Sequence, residues 1–85
     1  MNGDELRKLF GRRVRLLRRM RDMTQASLAE RMTYSPEYMS RLERGIGTPS
    51  FETIAALATA LGVEPRDLFT FTLPRIGGTD PPPES

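Results

Sequence analysis

Eighty-five residues with 38% hydrophobic side chains are enough for one small domain. The chain has neither cysteine nor histidine, which excludes disulfides and thiolate metal sites and removes the commonest general base and neutral metal ligand. Net charge is only +2, but residues 1–21 carry +6, residues 22–50 carry −1 and residues 51–85 carry −3, and a basic front with an acidic rear suits a molecule that turns one face to a polyanion.

Twelve of the 13 basic residues are arginine, whose planar fork of donors matches phosphate and guanine. Charge alone fits a solvated basic helix equally well. No apolar run is long enough to cross a membrane, and the N-terminal residues lack the pattern of a secretory signal. The expectation is a cytoplasmic protein that contacts no membrane, binds no metal or cofactor and is not an enzyme.

The first predicted helix runs from about Asp4 to Arg21, with Asp4 as N-cap. Leu6, Phe10, Val14 and Leu17 follow the spacing of one apolar face. Gly11 inside it costs about 1 kcal/mol relative to alanine, and a small residue there lets another helix approach closely. The second helix starts at Thr24 and runs to Met32, with Leu28, Ala29 and Met32 inward. The third opens on Ser35 as N-cap, with Pro36 at the first helical position and Glu37 in the first turn. It stops before Gly45, and Met39 and Leu42 face inward. Ser50 caps a fourth helix whose apolar face is Phe51, Ile54, Leu57, Ala58 and Leu61, ended by Gly62. A short fifth helix spans about Pro65 to Phe69, with Leu68 and Phe69 toward the core. Beyond it, "TFTLPRI" alternates as a half-buried strand would, and "GGTDPPPES" reads as a flexible tail.

Two short helices joined by a tight turn, the second opened by Ser-Pro, form a helix-turn-helix pattern. In such a pair the first helix lies across a DNA backbone and holds the second in the major groove. The second helix here has a polar outer face of Glu37, Ser40, Arg41 and Arg44.

Three ordered pieces sharpen this: Thr24-Gln25-x-x-Leu28-Ala29, Ser35-x-x-x-x-Ser40-x-x-Glu43-x-Gly45, and Pro49-Ser50 followed by Leu57-Ala58-x-x-Leu61-Gly62. With them, residues 10–69 resemble the phage repressor/Cro-type helix-turn-helix family, the xenobiotic-response-element type of bacterial regulator, and in places the restriction-modification controller proteins. The resemblance implies an all-α, compact five-helix fold like that of the lambda repressor over residues 1–69, with the two key helices at about 24–32 and 35–44. It implies base contacts from Ser35, Pro36, Glu37, Ser40 and Arg41, and backbone contacts from Thr24, Gln25, Tyr38, Arg44, Gly47 and Thr48. It also implies an ion pair between Arg18 and Glu43 that fixes the angle of the third helix.

Several of these residues have a second reading. Gln25 is a phosphate contact or an exposed amide. Arg41 reads guanine, touches a phosphate or forms a surface salt bridge. Glu37 accepts from a cytosine amino group or only complements the helix dipole. Tyr38 meets the backbone or is a partly packed aromatic. Two departures from the family pattern stand out. Thr33 occupies a turn position that is often glycine, where a β-branched residue is poor at positive φ, and Asp22 replaces another frequent glycine.

One such domain covers little DNA, and family members bind as dimers to half-sites roughly 34–36 Å apart. Residues 70–76 are the candidate dimerisation segment, with Leu68, Phe71, Leu73 and Ile76 as interface residues, and residues 77–85 form the tail. The expected function is a sequence-specific, double-stranded-DNA-binding transcriptional regulator acting as a homodimer on a symmetric operator. The alternative is an antitoxin-type protein that represses its own operon and binds a partner protein through its C-terminal segment.

Overall fold

A computed structural model describes residues 1–71. Four α-helices follow in order: α1 (Gly3–Met20), α2 (Gln25–Met32), α3 (Pro36–Glu43) and α4 (Phe51–Leu61). They are followed by a short helix at Pro65–Phe69, which is 3-10 and not α-helical. The chain is thus all-helical over its described residues, with four α-helices where five were expected. A five-residue segment opened by proline is short enough to settle for the tighter winding.

Local chemistry sets each start. The N-cap of α1 is Asn2, not Asp4: the Asn2 side chain accepts from the Glu5 N–H at 2.9 Å, and the Glu5 carboxylate accepts from the Asn2 N–H at 2.8 Å. This reciprocal box satisfies two otherwise orphaned donors, and Asp4 becomes a first-turn acid paired with Arg7. Thr24, Ser35 and Ser50 cap α2, α3 and α4 through their hydroxyls, each accepting an N–H three residues on.

The core lies where α1, α2, α3, α4 and the 3-10 helix meet. Val14, Leu28, Met39, Leu57, Leu61 and Leu68 are fully enclosed there. Burying each such side chain stabilises the fold by about 1.5–3 kcal/mol. Phe10, Leu17, Ala29, Met32, Leu42 and Ala58 complete the cluster.

Three apolar residues expected inside are on the surface. Phe51, at the first position of α4, is 86% exposed, and Leu6 and Phe69 are each partly exposed. Phe69 still rests its ring on Phe10, with centroids 5.1 Å apart. Leu68 requires the opposite correction. It is 0% exposed, and its whole side chain is used within this chain, so it has no surface to offer a dimer. Phe71 is half-buried. Leu73, Ile76, the strand-like reading of residues 72–76 and the tail 77–85 lie outside the described residues.

Gly11 is where α1 and α3 touch. A Cβ on it would stand 2.5 Å from the Glu43 carbonyl oxygen and 2.6 Å from that of Leu42. The backbones can approach this closely only because the side chain is absent. Gly45 then takes φ +80 just past α3, packed on the Lys8 backbone.

Candidate nucleic-acid interface

The turn between α2 and α3 is built from Thr33 and Tyr34. Thr33 sits in the left-handed region at φ 61, ψ 39, a strained place for a β-branched residue. The Tyr34 N–H donates back to the Ala29 carbonyl at 2.9 Å and closes the end of α2. The Tyr34 hydroxyl shares a 3.0 Å hydrogen bond with Thr53 Oγ1 on α4, and its ring meets Tyr38 edge to face at 5.1 Å. The turn is therefore tied to α4 on one side and to the first turn of α3 on the other.

Residues three and four apart share a helix face, and α3 divides on that spacing. Met39, Leu42 and Glu43 are buried, while Glu37, Arg41 and Arg44 are exposed, with Ser40 and Tyr38 at the edges. Glu43 is the charged member of the buried side. Its Oε2 accepts from Arg18 Nε at 2.7 Å, and its Oε1 accepts from Arg18 Nη2 at 3.1 Å. Arg18 Nη1 donates to the Met23 carbonyl at 2.7 Å. This two-pronged pair joins α1 to the end of α3.

Two further side chains share that carboxylate. Gln25 Nε2 donates to Glu43 Oε1 at 3.0 Å, and Arg15 Nε reaches the same oxygen at 3.4 Å. Burial alone would raise the Glu43 carboxyl. Hydrogen bonds from Arg18, Gln25 and Arg15, with the charge of Arg18, outweigh it and hold the group below its ordinary value. Four residues from three helices thus lock α3 against its supports.

The remaining residues singled out in the sequence fall as follows. Ser35 and Pro36 are exposed at the opening of α3, with the Ser35 hydroxyl engaged as N-cap to the Tyr38 N–H. Glu37 and Arg41 form no ion pair among the described residues, so the salt-bridge reading of Arg41 finds no partner there. Arg44 Nε donates to the Ser40 carbonyl at 3.3 Å. Thr24 is exposed, with its hydroxyl accepting the Ser27 N–H. Gly47 and Thr48 lie exposed in the loop after α3, and Thr48 Oγ1 accepts from Arg7 Nη1 at 3.4 Å. Gln25 is half-buried and turned toward Glu43. Sequence reasoning passed over Arg15, Tyr34 and Thr53. For Arg15 a signal existed: it precedes Arg18 by one turn and so shares its face of α1.

No described helix is long and apolar enough to cross a membrane. A family model described as a helix-turn-helix domain matches residues 9–69. The uncharacterized HTH-type transcriptional regulator y4dJ of Sinorhizobium fredii is 41% identical over 68 residues, covering 80% of this chain and 88% of that protein. Control protein C.BamHI of Bacillus amyloliquefaciens is 39% identical over 70 residues, covering 81% and 86%. Among solved structures, the restriction-modification controller protein C.AhdI from Aeromonas hydrophila superposes with a TM-score of 0.78 at 36% identity, over 81% of this chain and all of that one.

Proposed function

Because this chain belongs to the xenobiotic-response-element type of helix-turn-helix transcriptional regulators, we propose that it binds a two-fold-symmetric operator as a homodimer, with α3 in the major groove. The observation that carries this reading is the division of α3. Its polar outer face of Glu37, Ser40, Arg41 and Arg44 is free of the core, while its inner face is clamped through Glu43. A rigidly held helix with exposed hydrogen-bonding side chains is what base reading requires.

In this reading Arg41 takes two acceptors of a guanine, Glu37 accepts from a cytosine amino group, and Ser35, Pro36 and Ser40 line the same base edges. Thr24, Gln25, Tyr38, Arg44, Gly47 and Thr48 face the flanking phosphates and set the register. The second N–H of the Gln25 amide remains for a phosphate while the first is held by Glu43. The segment beginning at Phe71, with Leu73 and Ile76, joins two copies. The names of two relatives, a control protein and a restriction-modification controller, support a role as a small gene regulator.

Selection of binders from a random duplex pool, followed by sedimentation with and without the enriched duplex, tests this directly. The expected outcome is a symmetric sequence whose half-sites lie roughly one helical turn apart, bound by two copies. Enrichment of no sequence, or a monomer on the duplex, would refute the proposal.

A further inference from the structure

Arg18 and Arg15 meet the same carboxylate in different ways. Arg18 turns Nε and Nη2 onto Glu43 and Nη1 onto the Met23 carbonyl, and its side chain is only 9% exposed. Its charge is cancelled by Glu43. Arg15 reaches Glu43 Oε1 through Nε alone, at 3.4 Å, with its side chain 42% exposed. Among the described residues no other carboxylate touches Arg15. Two guanidiniums around one carboxylate leave one positive charge over, and it belongs to the arginine at the surface.

Gln25 Nε2 lies 3.0 Å from that same Oε1, so Arg15 and Gln25 stand side by side with Glu43 behind both. With Nε alone engaged, the two terminal nitrogens of Arg15 make no hydrogen bond among the described residues, and together they form the fork that matches phosphate oxygens. We infer that Arg15 is a further DNA-backbone contact: together with Gln25 it grips one phosphate, and Glu43 positions the two. This inference rests on the DNA-binding reading above. It adds α1 to the helices that touch the duplex, and it gives the buried carboxylate a second task beside holding α3.

Each phosphate neutralised by a protein cation steepens the fall of log affinity with log salt by about 0.9. The test is a salt titration of the full chain on its selected operator, comparing wild type, Arg15→Gln and Arg66→Gln, with folding of each checked by circular dichroism. Arg66→Gln removes the same charge from the 3-10 helix, where the side chain is 82% exposed and pairs with Glu64 at 3.1 Å. Arg15→Gln should flatten the slope by about 0.9, so that it loses roughly threefold to fourfold less affinity than wild type between about 50 and 200 mM salt. Arg66→Gln should keep the wild-type slope. An unchanged slope in folded Arg15→Gln, beside a wild type that binds with a steep one, overturns the Arg15 assignment alone. So does an equal flattening by Arg66→Gln. A wild type that shows no salt-dependent, sequence-selective binding overturns the DNA reading itself.

Discussion

Glu43 has no exposed side-chain surface, yet its carboxyl is held below its ordinary value of 4.5 by the donors around it. The unfolded chain therefore takes up a proton at this position at a higher pH than the folded chain does. The stabilisation linked to that difference is complete above 4.5 and is lost as pH falls through the lower, folded value. Glu43→Gln keeps the shape and removes the charge, leaving Arg18 buried without a counterion. Breaking a buried pair in this way costs about 3–5 kcal/mol. Denaturant melts should show a wild-type advantage that is large at neutral pH and shrinks on the acid side of 4.5. A difference independent of pH would mean that the charge is not what matters. The Arg18–Glu43 pair was legible only through the resemblance to the family, which places an ion pair at these two positions. The turn of Gln25 toward Glu43 and the contact of Arg15 with it were not, although spacing does place Arg15 on the Arg18 face of α1. They depend on rotamers of long side chains meeting across three helices, which spacing along one helix does not encode. Thr33 is the converse case: a β-branched residue at a position often filled by glycine left open whether the turn differs or strain is tolerated, and its left-handed conformation (φ 61) shows the second.

At the scale of elements, the periodicity of apolar residues located all four α-helices, and the hydroxyl caps located the starts of three of them. It failed at helix ends. The three-four spacing marks a side of a helix and not how far the neighbour on that side extends, so Leu6 and Phe51, in first turns, are exposed. Asn2 lay outside the apolar pattern and was missed as a cap for the same reason. The contact of α1 with α3 at Gly11 gives a sharper prediction. Alanine improves helix propensity by about 1 kcal/mol, which in an exposed helix would stabilise. Here its Cβ would meet two backbone carbonyls at 2.5 and 2.6 Å, and backbone cannot step aside as a flexible side chain can. Gly11→Ala should therefore destabilise by about 1–3 kcal/mol and displace α3 from α1. A thermal melt reads the first effect, and weakened operator binding reads the second. A variant that melts higher than wild type would show that α3 sits less tightly on α1 than described.

For the whole molecule, the small size, the helix spacing and caps, and the resemblance to the helix-turn-helix family were enough to read an all-α domain. Assembly was harder to read. Leu68 was read both as a core residue and as part of an apolar interface segment, and it is enclosed by the core of its own chain. A hydrophobic residue near a terminus can serve either purpose, and only the three-dimensional packing decides. Charge works at this scale as well. The arginine excess of residues 1–21 draws the chain to a polyanion without choosing a sequence. In the proposed reading, choice falls to the few exposed side chains of α3, and above all to Arg41, whose guanidinium forms no ion pair among the described residues. The most direct measurement is the affinity of wild type and Arg41→Ala for the selected operator and for every single-base-pair variant of it at fixed salt. Arg41→Ala is expected to lose about 1–3 kcal/mol, with base preference erased at one G·C pair per half-site and kept elsewhere. Uniform weakening, with every base preference intact, would contradict this and make Arg41 a phosphate contact.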